Sequence, residues 1–185
     1  MELKTFTLNK RVNLNYLLYL PKSYTGAKKW PLILFLHGAG ERGNYGFSEK
    51  IWGYGLHKVL HKDDDFPFIV ITPQCPENEI WEMQFHELMD LLKFIEGDYS
   101  VDQECEYLTG MSLGAYGVWN YAMLNPSRFA AIVPVCGGAT FPMKVTLLKD
   151  LPIWAFHGRL DKSIPFEESE QLVNALKAIN GNIRF

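Results

Sequence analysis

The strongest constraint on this chain is a series of short, almost wholly apolar runs spaced along it. They are Pro31–Leu36 (PLILFL), Phe66–Thr72 (FPFIVIT), Ala130–Val135 (AAIVPV) and Ile153–Phe156 (IWAF), with Tyr107 and Leu108 leading another run into Thr109. Apolar runs of this length, without polar alternation, suit strands buried on both faces of a parallel sheet. Helical patterns lie between them. Met83, Leu88, Leu91, Leu92 and Ile95 put one apolar stripe on a helix over about Trp81–Gly97, and Gly97 sits where a helix stops. A second helix is expected over Leu113–Leu124, ended by Asn125-Pro126. A third is expected over Pro165–Ile179, opened by Pro165 and the acidic pair Glu167 and Glu168 and closed near Gly181, with Leu172, Val173, Leu176 and Ile179 inward.

Strands alternating with helices imply right-handed crossovers and an α/β fold: a mostly parallel sheet with helices on both faces. The start of the chain differs. Thr5–Asn9 and Asn13–Leu20 read as two strands around a turn at Lys10 and Arg11. Apolar positions in the second partly alternate (Val12, Leu14, Tyr16, Leu18, Leu20), as in an antiparallel edge with one wetter face. Asn182–Phe185 read as the beginning of one more strand. A chain of 185 residues is expected to form a single domain spanning 1–185.

Composition narrows the partners. Hydrophobic residues make up 48% and charged residues 21%, which excludes a disordered chain. The net charge of −3 gives no electrostatic footprint for nucleic acid or an anionic membrane. No run approaches the ~18–20 apolar residues of a membrane span, and the first residues carry charges without a cleavage pattern. Cys75, Cys105 and Cys136 are far apart with no CxxC spacing, and read as reduced small hydrophobes in a cytoplasmic protein.

The segment Tyr107–Tyr116 reads YLTGMSLGAY and contains G-x-S-x-G between an apolar strand and a helix. A serine there sits on a sharp, strained strand-to-helix turn, and side chains at Gly110 or Gly114 would strike neighbouring backbone. The turn presents the Ser112 hydroxyl at the carboxyl end of the sheet, where the Leu113 N–H and the helix dipole can meet an oxyanion. A second glycine-rich turn, Leu36–Gly43 (LHGAGERG), follows the run PLILFL. It leaves backbone N–H groups approachable, that of Ala39 foremost. It lacks the spacing of a phosphate-binding loop, and His37 reads as a residue bonded to loop backbone. A third segment, Trp154–Asp161 (WAFHGRLD), places Asp161 at another strand end and after the serine in chain order.

Together, GMSLG, HGAGERG and HGRLDKSIP resemble the α/β-hydrolase superfamily from Tyr16 onward. More narrowly they resemble its small esterases of the predicted-peptidase, phospholipase/carboxylesterase and polyhydroxyalkanoate-depolymerase-like groups. The resemblance implies Ser112 as nucleophile, Asp161 as triad acid, and the Ala39 and Leu113 N–H groups as oxyanion hole. It implies a carboxylesterase working through an acyl-enzyme on a small ester, without metal or cofactor. A serine peptidase, an acyltransferase and a non-catalytic binding member of the fold are the alternatives.

One departure from the family pattern stands out. The superfamily's histidine follows the acid, whereas His37, His57, His61, His86 and His157 all precede Asp161. The expectation is that the natural protein's base lies beyond Phe185, with the last strand and helix incomplete here. His157 sits where the H-G-x-x-D pattern has a packing histidine. His57 and His61 read as a solvated helix face, and Asp63–Asp65 as a solvated turn. Trp52, Tyr54, Trp81 and Tyr116 are candidates for a substrate pocket at the carboxyl edge of the sheet. Cys75 reads as structural.

Overall fold

A computed structural model describes residues 2–8, 12–47 and 49–185. Eight strands form one sheet in the order β1-β2-β4-β3-β5-β6-β7-β8. Strands β1 (Glu2–Leu8) and β2 (Val12–Tyr19) pair antiparallel, Glu2 opposite Leu18 and Leu8 opposite Val12. The expected turn at Lys10 and Arg11 lies outside the described residues. Strand β2 is also antiparallel to β4 (Ile69–Pro73). From β4 across β3 (Trp30–Leu36), β5 (Val101–Met111), β6 (Ala131–Val135), β7 (Ile153–Trp154) and β8 (Ile183–Arg184), every pairing is parallel. The terminal residues thus enter the sheet beside β7, as their pattern indicates.

The apolar runs owe their lack of alternation to burial on two sides. In β3, Leu32, Leu34 and Leu36 point into the larger core, while Phe35 points into a smaller one with Tyr19, Leu60 and Val70. The larger core is closed by α2 (Phe85–Asp98), α3 (Leu113–Leu124) and α4 (Glu167–Ala178), through residues such as Leu91, Val118 and Leu172. The opposite face is covered near β3 and β4 by α1 (His57–Leu60) and Phe66 and Phe68. Farther along that face Trp154 and Phe156 stay about half exposed, their rings tilted against each other with centroids 4.9 Å apart.

Several boundaries differ from the sequence pattern, those of β4 and β5 among them. Strand β4 begins at Ile69, not Phe66. Pro67 has no N–H for a ladder, and the Phe68 N–H turns back to the Phe66 carbonyl. Strand β5 begins at Val101, ahead of its apolar end. Between buried Val101 and Glu106 it carries the partly or fully exposed residues Asp102–Cys105, and its register against β3 shifts there.

Glu106 is fully buried in β5. Arg128, in the turn after α3, brings Nη1 to 2.6 Å from Glu106 Oε2, and its other nitrogen pairs with Glu96 on α2. The guanidinium therefore joins α2, β5 and the approach to β6. Removing one partner of a buried pair strands the other charge, at a cost of about 3–5 kcal/mol. Arg128→Leu should lower stability by about that much in urea unfolding, and the double variant Arg128→Leu with Glu106→Leu should recover much of it.

Candidate active site

Ser112 sits between the end of β5 and the first residue of α3, at φ 56° and ψ −118°. A side chain in this region is strained by about 1–3 kcal/mol and persists only where its surroundings hold it. Here the Ser112 N–H donates to the Val135 carbonyl of β6 at 3.0 Å, and its own carbonyl accepts from Ala115 and Tyr116 at 2.9 and 3.2 Å. The flanking glycines allow the approach. A Cβ on Gly110 would lie 2.7 Å from both the Leu36 and Gly114 carbonyl oxygens, and one on Gly114 would enter the Leu36 carbonyl group. The G-x-S-x-G spacing thus reflects contact between the end of β3 and the start of α3.

The loop after β3 runs directly beside this turn. A Cβ on Gly38 would sit 3.7 Å from Ser112 Cβ and 3.6 Å from the Met111 carbonyl oxygen. Ala39 opens a short 3-10 turn, Ala39–Glu41, whose bonds run from the Glu41 N–H to the Gly38 carbonyl and from the Arg42 N–H to the Ala39 carbonyl. Those bonds do not consume the Ala39 N–H. The Leu113 N–H, first in α3, has no acceptor within its own helix.

His37 anchors the start of this loop. Its Nε2 accepts from the Cys75 N–H at 3.0 Å, so the proton resides on Nδ1 and is donated to the Gly38 carbonyl at 2.6 Å. The Trp81 indole N–H caps the His37 carbonyl at 3.0 Å, and its ring packs edge-on against the imidazole. Burial pulls the His37 pKa down to about 4, so it is neutral at pH 7.

Asp161 lies in the loop after β7, with Oδ1 accepting from the Ser163 and Ile164 N–H groups at 2.8 and 3.0 Å. These donors, with help from His157, hold its carboxyl below the usual range. His157 has no exposed side-chain surface. Its Nδ1 meets Ser169 Oγ at 2.7 Å, and Nε2 donates to the Ile164 carbonyl at 3.0 Å, 3.7 Å from Asp161 Oδ2. The Ser169 hydroxyl donates to the Gly137 carbonyl. His157 therefore ties the acid loop to α4 and to the loop after β6.

Cys136 bridges the two halves of the site. It directly follows β6 at φ 47°, donating its N–H to the Phe156 carbonyl at 2.7 Å. Burial raises its thiol pKa, while a hydrogen bond from the Ser112 main chain lowers it and the Asp161 charge raises it further. Ser112, Asp161 and the Ala39 loop are thus gathered at the carboxyl edge of the sheet. The sequence pattern gave Cys136 no such place, and a cysteine following a strand before two glycines carries no signal for it.

The aromatic pocket residues separate. Tyr116 lies one turn from Ser112, its ring near Gly138, and burial together with the nearby Glu168 charge raises its hydroxyl pKa. Trp81 is fully buried, so it supports the His37 loop and walls no open pocket. Trp52 is half buried against the rings of His57 and His61. His57 also departs from expectation: it is buried, with Nε2 3.0 Å from the Thr72 hydroxyl, because α1 lies flat against β4. Tyr54 joins Gly40, Glu41 and Arg42 around a cleft of about 490 Å³ beside the Ala39 turn. A roomier groove of about 540 Å³ lies elsewhere, along the second half of α3. Asn120 on that groove is about 12 Å along the helix from Ser112, so the groove is no part of this site.

The eight-stranded order, the strained serine turn and the loop beside it define an α/β-hydrolase. The chain matches the family described as "Putative esterase" over residues 7–182, and it belongs to that family. It superposes on a thermostable esterase with a TM-score of 0.82 and 34% identity, over 99% of this chain and 53% of that one. A mutant of the feruloyl esterase module from Clostridium thermocellum, complexed with sinapinate, shares the fold at a TM-score of 0.76 and 19% identity, over 98% of this chain and 77% of that one. The bifunctional acetylxylan esterase/xylanase XynS20E of Neocallimastix patriciarum is 24% identical over 145 residues, 76% of this chain and 20% of that protein. The chain thus spans about half of the thermostable esterase and a fifth of this curated relative.

His37 and His57 make the fold sensitive to acid. Burial lowers both pKa values from 6.5 to about 4. The unfolded chain therefore binds protons between pH 6.5 and 4 that the folded chain refuses, and stability falls as pH drops through that window. Each histidine contributes on the order of 3 kcal/mol to the loss by pH 4. Urea midpoints measured from pH 7 to 4 should fall steadily, and His57→Gln should flatten the slope.

Proposed function

We propose that this chain is the core of a serine carboxylesterase. The observation carrying the reading is the strained Ser112 turn set against the Gly38–Ala39 backbone. Ser112 Oγ attacks the ester carbonyl carbon, and the carbonyl π pair moves onto oxygen. The Ala39 and Leu113 N–H groups receive that oxyanion, fixed in place before charge develops. The hydroxyl proton passes to an imidazole, which returns it to the departing alcohol as the acyl-enzyme forms. Water, deprotonated by the same imidazole, then releases the acid and restores Ser112. Asp161 orients that imidazole and stabilises its cation.

The imidazole is proposed to come from chain beyond Phe185. His37 and His157 have both ring nitrogens engaged, His57 is shut inside against Thr72, and His61, in the turn after α1, and His86, on α2, are exposed. The substrate is proposed as a small carboxylic ester entering by the cleft beside Tyr54 and Arg42, with Tyr116 across from it. A peptide or an acyl acceptor other than water would use the same atoms. The reaction calls on no metal or organic cofactor. No helix among the described residues is long and apolar enough to cross a membrane. A cytoplasmic location is proposed from three cysteines that are all free thiols.

The test uses the full-length natural protein, a fluorophosphonate probe and a short p-nitrophenyl ester. Wild type should label and turn over, and Ser112→Ala should do neither. Asp161→Asn should fold normally and lose about 10⁴-fold in kcat. If wild type and Ser112→Ala label and turn over alike, the serine esterase reading is wrong.

A further inference from the structure

Residues 42–47, which follow the Ala39 turn, have no regular secondary structure. A donor that must meet a developing charge needs a rigid support. Gln74, directly after β4, supplies one. Its main chain is fixed to the sheet, the N–H donating to the Asn15 carbonyl of β2 at 2.7 Å. Its side chain is buried, with 4% of the residue exposed, and it reaches out of the sheet into the loop.

There both amide donors and the carbonyl oxygen are engaged. Nε2 donates to the Glu41 carbonyl and to the Gly46 carbonyl, each at 3.1 Å. Oε1 accepts from the Gly46 N–H at 3.0 Å. Gly46 therefore pairs with the amide through both of its backbone groups, as a strand residue pairs with a neighbour. Its φ of 92° is a conformation that favours glycine. Gly43 clears the way: a Cβ there would lie 2.9 Å from Gln74 Nε2. The next residue continues the tie, the Cys75 carbonyl accepting from the Gly43 N–H and the Cys75 N–H donating to His37. No other side chain of this size satisfies the set. Glutamate would oppose two carbonyl oxygens with a third, and methionine would leave two carbonyls and an N–H without partners.

We propose that Gln74 is the positioning residue of the oxyanion hole, holding the Ala39–Glu41 turn so that the Ala39 N–H faces the carbonyl attacked by Ser112. His37 fixes the turn at its start and Gln74 at its end. Gln74 touches no reacting atom. Its contribution is made only when the oxyanion forms, and so belongs to kcat rather than to KM. This rests on the esterase reading above.

The experiment compares Gln74→Met, Gln74→Glu and Gly43→Ala with wild type in the full-length protein. Turnover of a p-nitrophenyl ester, affinity for an alkyl boronic acid, affinity for the product acid and hydrogen exchange of the amides of residues 39–46 are measured. The expected result is a fall in kcat of about 10-fold to 100-fold with KM within about twofold. Boronate affinity should weaken by a similar factor and product affinity should hold, while exchange of the loop amides quickens. Gly43→Ala, which only crowds the amide, should give a weaker form of the same pattern if the Gln74 variants fold poorly. Unchanged kcat, or kcat loss that merely follows the fraction of unfolded protein, would overturn the assignment. Ser112→Ala run alongside separates the two claims: if it still turns over, the esterase reading has failed, and loop exchange then reports on the Gln74 tie alone.

Discussion

Everything at this site depends on how closely the end of β3 approaches the start of α3. The Leu36 carbonyl occupies space that a side chain on Gly110 or Gly114 would need. That contact fixes the helix against the sheet and forces the intervening serine into a positive-φ conformation. It also sets Gly38 against Ser112, because Gly38 follows Leu36 by two residues. The Ser112 turn and the Gly38–Ala39 backbone are therefore positioned together by one backbone packing constraint. The strain at Ser112 persists because Val135, Ala115 and Tyr116 hold both of its peptide groups.

Around that contact, polar side chains stand in for secondary structure. The loop after β3 makes few backbone bonds of its own, and its carbonyls and N–H groups are met by His37, Arg42, Gln74 and Trp81. The loop after β7 is built in the same way, with Asp161 and His157 satisfying Ser163, Ile164 and, through Ser169, Gly137. A buried backbone polar group without a partner costs as much as a lost hydrogen bond. These side chains thus let irregular loops pack against the sheet edge without that penalty, and keep them rigid.

The elements most legible in the sequence were those set by backbone geometry. G-x-S-x-G and the apolar strands announce themselves because glycine and continuous apolarity answer to local constraints. The α3 boundaries follow from the Ser112 turn and Asn125-Pro126 in the same way. What was not legible depended on a partner distant in sequence. Trp81 resembles a pocket aromatic until its N–H is found on the carbonyl of residue 37. His57 resembles a solvated histidine until Thr72 and the edge of Phe35 are placed around it. Gln74 gives no local signal, because its partners lie 28 to 33 residues earlier. The long start of β5 was hidden because residues 102–104 are polar and the strand's register against β3 shifts between Val101 and Glu106.

The histidines show how burial divides a residue type between two uses. An imidazole serves as a structural wedge when it stays neutral, as His37 does with one nitrogen donating and the other accepting, and burial favours this by lowering the pKa to about 4 at His37 and His57. A general base at neutral pH needs a pKa near 7, so that it is free to take a proton and strong enough to keep it. At about 4 the proton affinity is too weak by roughly three powers of ten. The environment that makes these histidines useful to the loop therefore disqualifies them from taking the serine proton.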